Sequence, residues 1–135
     1  MGAVDGKLIP FQMPYQGREN YHFVEDVGAH FAACALDAYD GFGAFNIKGE
    51  TIAITEFLNI VKEQATSLGM KDFVNLSIED GAAPNLFVSD LSHDKINHTF
   101  NNLPLTSIAE GVKKSLLEFK NMAEKGILTN SVEGI

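Results

Sequence analysis

Arg18 is the only arginine in the chain, and its side chain is the one best suited to hold an anionic ligand. A guanidinium presents five N–H donors in a planar fork, which matches the paired oxygens of a phosphate or carboxylate. Arg18 directly follows residues 14–17, whose proline and glycine predict a turn or loop. It is therefore a candidate ligand-binding residue, and the alternative is a solvated surface arginine.

The histidines and the cysteine are not arranged like the ligands of a metal site. His30, His93 and His98 show no metal-ligand spacing with one another or with Cys34. No nucleophile and base form a recognisable constellation, so the sequence predicts no metal and no catalytic residue. Cys34 lies among alanines and is expected to be a small packing residue rather than a reactive thiol.

His22 alternates with Tyr21 and Phe23 in a short predicted strand, so its side chain should lie on the opposite face from theirs. From that face it could contact a substrate. It could equally be a structural histidine held by a hydrogen bond, and the sequence leaves both interpretations open.

The composition indicates one acidic, folded domain. The chain of 135 residues is long enough for a core, and an apolar content of 45% argues against disorder. We expect a single domain over residues 1–135, with residues 129–135 as a tail. The net charge of −8 argues against nucleic acid or an anionic membrane as a partner, because both need clustered lysine and arginine. The single cysteine fits a reducing cytoplasm, and no run approaches the ~20 apolar residues of a membrane helix.

Hydrophobic periodicity predicts strands and helices in alternation. Strands are expected at residues 8–13, 21–24, 43–47 and 73–78, and helices at residues 26–38, 55–68, 92–98 and from 108 to a stop at Gly126. Asp26 is placed to cap the first helix, and Ser107 with Glu110 forms a capping box at the last. Residues 79–85 are expected to form a loop. The alternation of strands and helices along the chain predicts an α/β fold. We expect a small three-layer-like arrangement of short, partly parallel strands and about four helices.

Two segments carry a resemblance to a known family. Residues 23–30 read Phe-Val-Glu-Asp-Val-Gly-Ala-His, and residues 43–47 read Gly-Ala-Phe-Asn-Ile. Together they resemble the late part of the extended short-chain dehydrogenases, the NAD-dependent epimerase/dehydratase family, which typically shows V-x-D-V-A and then V-x-N-V-G. The resemblance covers about residues 3–128. It implies the C-terminal, substrate-binding portion of such an enzyme, with residues 43–47 as a strand that returns to the edge of the nucleotide-binding sheet.

The resemblance also implies what the chain lacks. The family holds its dinucleotide at a glycine-rich turn and uses a tyrosine with a lysine four residues later. The 12 glycines form no G-x-G-x-x-G or G-x-x-G-x-x-G pattern, and Glu19, Glu25 and Gly43 stand four residues after the tyrosines. We therefore expect this chain to bind no cofactor, whereas the full-length family uses NAD or NADP. We also expect the nucleotide-binding half to be absent and the isolated chain to be inactive.

By the same resemblance, the substrate-binding residues are expected to be Arg18, Phe11, Ile9 and His22. Arg18 stands one residue before the position of a family arginine that clamps the substrate diphosphate. Ile9 and Phe11 align with a strand that often packs on the nucleotide base or the substrate. Ala83 stands where the family has a second arginine, which argues against a standard nucleotide-diphosphate sugar. The substrate is then a smaller acid or sugar, or it is held in a different way.

Two functions from different classes remain open. The first is the substrate-binding portion of an epimerase or dehydratase, acting on a sugar or a sugar-nucleotide-like molecule. The second is a small stand-alone binding or interaction module that shares only the order of elements. For the truncated enzyme portion we expect a homo-oligomer, because truncation would expose the edge of the strand at residues 43–47 and the helix faces that packed on the absent half, and such surfaces are usually covered by a partner.

Overall fold

The computed structural model describes residues 10–70, 75–86 and 90–127. Within these ranges four strands and four helices follow one another along the chain. They are β1 (Pro10–Gln16), β2 (Arg18–Tyr21), α1 (Val24–Leu36), β3 (Glu50–Ala53), α2 (Ile54–Ser67), β4 (Asn75–Pro84), α3 (Asp94–Thr99) and α4 (Ile108–Glu124). The fold is mixed α/β with short strands, part of them parallel, and four helices, which confirms the predicted class.

The strands form two separate pairs. β1 and β4 are parallel, and β2 and β3 are antiparallel. Gly17 separates β1 from β2 at a φ of +117°, a conformation that favours glycine, and its carbonyl accepts a hydrogen bond from the Ile54 N–H at 2.9 Å. This bond ties the junction of the two pairs to the first residue of α2. A register shift between Met13 and Tyr15 marks a bulge opposite Gly81, whose φ is +76°.

Several strand and loop predictions need correction. The strand expected at residues 21–24 is wrong beyond its first residue, because β2 ends at Tyr21 and α1 begins at Val24. Residues 14–17 and 79–85 were expected to be loops, but β1 runs to Gln16 and β4 to Pro84, because the two segments pair with each other. Residues 43–47 were expected to be a strand, and that prediction is wrong. These residues form no strand, and the segment that pairs with β2 is β3, three residues further on. β3 itself was missed. Residues 8–9 and 73–74, which begin two of the predicted strands, lie outside the described residues.

The helices follow the sequence pattern more closely. Ser107 caps α4, since its Oγ accepts from the Glu110 N–H at 3.4 Å, and Gly126 follows the helix at a φ of +66°, as predicted. The expected cap of α1 is wrong. α1 begins at Val24 after Phe23, which makes no side-chain cap, and Asp26 lies buried inside the first turn.

The core consists of small clusters between helices. One cluster joins α2 to α4 and contains Ala65, Met70 and Leu116. A second contains Ile96, Phe100 and Leu103, and Cys34 of α1 packs against it, in the packing role predicted for this cysteine. The first cluster holds α2 against α4, and α2 also contacts β3, which positions the surfaces described next.

Candidate functional site

Arg18 lies on the surface and has two acceptors nearby. Its Nη2 donates to the Thr51 carbonyl at 3.1 Å and lies 3.7 Å from Asp90 Oδ1. The Arg18 and Asp90 side chains are 57% and 70% exposed, so water screens this ion pair. Exposed pairs of this kind contribute ~0–1 kcal/mol. An incoming anion could therefore replace Asp90 beside the guanidinium at little cost.

Backbone pairing sets the position of Arg18 at the ends of the parallel strands. Arg18 begins β2 just after β1 ends, and Asn85 follows β4. The Asn85 N–H donates to the Gln16 carbonyl at 2.6 Å, and its Nδ2 donates to the Arg18 carbonyl at 3.3 Å. Arg18, Asn85 and Asp90 thus form a polar group, here called the Arg18 cluster, at the carboxyl ends of β1 and β4. Ligands of open α/β sheets bind at this kind of edge.

The other expected substrate residues lie in different settings. Phe11 is 48% exposed on β1, and Ile9 lies outside the described residues. His22 is exposed and its Nδ1 lies 3.2 Å from the Lys48 carbonyl, so Nδ1–H donates there. That bond matches the structural interpretation of His22. Arg18 itself lies beside Asp90 and Asn85.

Asp90 lies before α3 and pairs with Arg18 instead of capping the helix. α3 begins at Asp94, where Ser92 Oγ accepts from the Asp94 N–H at 3.2 Å, while the Asp90 carboxylate faces Arg18. Sequence spacing contains no signal for this pair, because 72 residues separate its members. Ala83 lies exposed on β4 and is paired with Tyr15.

A second candidate is a pocket of about 330 Å³ between β2, α2 and α4, here called the apolar pocket. Its walls are mainly aliphatic and aromatic, and they include Phe57, Val61, Val112, Leu116 and Phe119. Its volume lies at the lower end of the range for small-molecule sites. Polar groups come from Tyr21, His22, Thr106, Ser107 and Ser115.

Tyr21 is the most unusual residue of the apolar pocket. Its ring stacks on Phe57 with centroids 4.1 Å apart and an interplanar angle of 10°. Its hydroxyl is buried and has no hydrogen-bond partner among the described residues. Burial, assisted by the negative charge of Glu19, raises the pKa of Tyr21 to about 12. The phenol is therefore protonated at neutral pH and is a donor without an acceptor.

The Arg18 cluster and the apolar pocket lie on opposite faces of β2. Side chains alternate along a strand, so Arg18 and Asn20 share one face and Tyr21 lies on the other. The contacts agree, since Asn20 Nδ2 donates to Thr51 Oγ1 at 2.7 Å while Tyr21 packs on α2. The two candidate sites therefore use separate surfaces.

Residues 10–70, 75–86 and 90–127 contain neither a metal-binding cluster nor a membrane-spanning helix. No three His, Cys, Asp or Glu side chains in these ranges lie close enough to hold a metal ion. No helix in the same ranges combines the length and the apolar character needed to cross a membrane.

Comparison with known proteins gives no assignment. No family model matches this sequence, and no curated protein or solved structure matches it. The resemblance to the epimerase/dehydratase family therefore depends on the residues quoted above.

Proposed function

We propose that this chain is the substrate-binding portion of an NAD-dependent epimerase/dehydratase-type enzyme and that it binds a sugar or a sugar-nucleotide-like molecule. The observation that carries the proposal is the Arg18 cluster at the carboxyl ends of β1 and β4. The order of the quoted motifs supports the same proposal. Dinucleotide binding and the catalytic tyrosine and lysine would come from another domain or chain, so the isolated chain is inactive.

The groups of the Arg18 cluster suit a polyhydroxylated molecule with one acidic group. The Arg18 guanidinium supplies donors to an anion, and the Asp90 carboxylate can accept from sugar hydroxyls. Ala83 supplies no second positive charge. These groups favour a sugar acid or sugar monophosphate over a diphosphate held by two arginines.

The same proposal includes a homo-oligomer in the cytoplasm. Phe31 and Leu36 of α1 are 65% and 86% exposed, and Phe42 just beyond the helix is 96% exposed. Apolar side chains exposed to this degree are usually covered by a partner. The single cysteine suits a reducing compartment. Sedimentation velocity over a range of concentrations tests this part, and a monomer at every concentration would refute it.

The alternative function is a small interaction module without a small-molecule substrate. The exposed residues Phe31, Leu36 and Phe42 are the observation that favours it. The two functions differ in what Arg18 does. In a substrate-binding portion Arg18 contacts the ligand, whereas in an interaction module its removal changes no small-molecule affinity.

The test is an NMR titration of the isotopically labelled chain with a sugar monophosphate, its neutral parent sugar and NAD. We expect the sugar monophosphate to shift the amide signals of Arg18 and Asn85. We expect no measurable binding of NAD. Arg18→Gln should weaken sugar monophosphate binding about ten- to a hundredfold, the loss of a charge-assisted hydrogen bond. The matched control is Lys113→Gln, which removes one positive charge from the exposed surface of α4. Equal weakening by both variants, or no binding by the wild type, would argue against the proposal.

A further inference from the structure

We propose that α1 is a dimer interface, at which the α1 helices of two copies of this chain pack antiparallel about a two-fold axis. The contact surface is a row of four apolar residues along α1, here called the α1 stripe: Val24, Gly28, Phe31 and Ala35. The proposal rests on the homo-oligomer of the proposed function and adds its surface and its geometry. It does not depend on the Arg18 cluster.

The α1 stripe is exposed to water although it is apolar. Val24 and Phe31 are 75% and 65% exposed, and Gly28 and Ala35 are exposed as well. The opposite side of α1 packs inside the chain, against the second core cluster and the segment before α4. Residues 27–36 contain no charged side chain. A helix with apolar residues on both sides is normally buried on both, so the α1 stripe needs a partner.

The spacing of the α1 stripe suits a contact between two helices. Its members follow one another at intervals of four, three and four residues, the pattern found at the seam between packed helices. A second helix can approach closely at Gly28, where no atom lies within 4 Å of an added Cβ. The exposed ring of Phe31 and the space at Gly28 are therefore a knob and a hole of the kind that packed helices exchange.

The order of large and small residues in the α1 stripe makes a second copy the partner that fits. Two α1 helices can pack antiparallel with Gly28 of each copy opposite Phe31 of the other. The same arrangement then places Val24 opposite Ala35. Each large side chain faces a small one in both directions. A parallel pair in register would instead place Phe31 on Phe31 and leave a gap at Gly28.

Charge does not oppose this contact, although each chain carries a net charge of −8. α1 has two carboxylates. Asp26 is buried inside its own chain, and Glu25 lies 3.9 Å from Lys114 of its own chain. In the antiparallel arrangement Glu25 stands opposite Cys34 of the other copy. No carboxylate of α1 therefore faces another carboxylate of α1 across the interface.

The exposed apolar area is large enough for a dimer. At 65% and 96% exposure, Phe31 and Phe42 leave roughly 300 Å² of side-chain surface open in each copy. Val24 and Leu36 extend this surface, since they are 75% and 86% exposed. Two copies together can therefore bury about 1,000 Å², the lower limit for a specific interface.

An exchange of two side chains tests the geometry. Gly28→Phe fills the hole and Phe31→Gly removes the knob, so we expect each variant to weaken dimerisation at least about tenfold in sedimentation equilibrium. The double variant again places a large residue opposite a small one and should recover most of the lost affinity. Phe31→Ala removes the knob without a helical glycine and gives a second measurement. Thermal unfolding of each variant shows that the chain still folds.

Two controls separate a specific dimer from non-specific association. Leu86→Ser removes an apolar side chain that is 93% exposed outside α1, and it should dimerise like the wild type, as should Arg18→Gln. Non-specific association would be strengthened by Gly28→Phe, which adds apolar surface, whereas the proposed interface is weakened by it. In a mixture of isotopically labelled and unlabelled copies, NMR should show the Phe31 ring of one copy in contact with Gly28 of the other.

Three results would overturn the proposal: a monomer at every concentration, a dimer that Gly28→Phe leaves unchanged or strengthens, or a double variant that dimerises no better than the single variants. The first would also remove the homo-oligomer from the proposed function. The other two would leave that homo-oligomer in place with a different interface. Sugar monophosphate binding at Arg18 is measured separately, so its failure would leave the test of the α1 stripe unaffected.

Discussion

Asp26 and His30, one turn apart on α1, bind the same short segment before α4. Asp26 Oδ1 accepts from the Thr106 hydroxyl at 2.9 Å, and Oδ2 accepts from the Thr106 N–H. His30 Nε2 donates to the Pro104 carbonyl at 2.8 Å. Both residues are buried, with exposures of 6% and 1%. Two polar side chains therefore attach α1 to a segment far away in sequence, and neither contributes to the Arg18 cluster.

Asp26→Ala should destabilise the chain strongly. It removes two acceptors and leaves the half-buried Thr106 N–H and hydroxyl without their partner, which we expect to lower the free energy of unfolding by about 2–3 kcal/mol. Urea denaturation measures this change. Asp37→Ala, at the exposed end of the same helix, is the control and should cost less than about 0.5 kcal/mol. Similar losses in the two variants would show that the Asp26 contacts add nothing specific.

Gly49→Ala should also destabilise the chain. Gly49 is buried, and a Cβ there would lie 2.6 Å from His22 Nδ1 and also too close to Asn20 Oδ1. The bonds of these side chains to Lys48 and Thr51 would have to shift, at a cost of about 1–3 kcal/mol.

The matched control for Gly49 is Gly28→Ala in α1, where no atom lies within 4 Å of the added Cβ. That change should raise the free energy of unfolding by about 0.5–1 kcal/mol, because alanine loses less freedom in a helix. Thermal unfolding of both variants gives the comparison. A neutral Gly49→Ala would mean that the backbone can move away freely at this position.

Tyr21 should make the chain sensitive to alkali. Its pKa is about 12 in the folded chain against an ordinary 10.0, so the folded state holds this proton more tightly. Below pH 10 the Tyr21 phenol is protonated in both the folded and the unfolded chain, so its contribution to stability is fully present. Between pH 10 and pH 12 the unfolded chain releases the proton first, so stability falls.

Tyr21→Phe should remove this part of the pH dependence. Its unfolding free energy should fall less steeply than that of the wild type across the same window, and the phenolate absorbance of the wild type should show one tyrosine that ionises last. Parallel pH profiles for wild type and variant would mean that the Tyr21 phenol ionises as readily when folded as when unfolded.

Arg18→Ala should leave folding nearly unchanged. The guanidinium is 57% exposed, and its ion pair with Asp90 spans 3.7 Å. We expect a change in unfolding free energy of no more than about 1 kcal/mol. Urea denaturation at low salt, where the surface pair is least screened, measures this change. A larger loss would make Arg18 a structural residue and would weaken the case for a ligand contact.

Local signals predicted the parts of the fold that depend on local interactions. The apolar stripe of α2, the Ser107 cap and the Gly126 stop each involve residues within a few positions, and each is present. β3 escaped prediction because Glu50–Ala53 is a strand only by pairing with β2. The sequence predicts Asp26 as a helix cap, because no pattern in the sequence indicates its partner, Thr106.

The sequence predicts only part of the candidate site, because some of its residues come together only through strand pairing. Arg18 could be identified by its residue type alone, since it is the only arginine. Asp90 and Asn85 join it only through the pairing of β1 with β4, which sequence spacing does not encode. The apolar pocket was not predicted, because its walls come from three elements that are separate in sequence. No sequence pattern distinguishes Tyr21 from other tyrosines in strands.

The parallel pairing of β1 with β4 also fixes the order of events during synthesis. β1 leaves the ribosome first, but Pro10 has no partner until Asn75 follows, and Asp26 has none until Thr106 does. At about 5–20 residues per second, several seconds pass in which the early segment is exposed with its backbone unpaired. The antiparallel β2–β3 pair can form in that interval. The nascent chain therefore depends on β4 and on the segment before α4 to complete its earliest contacts.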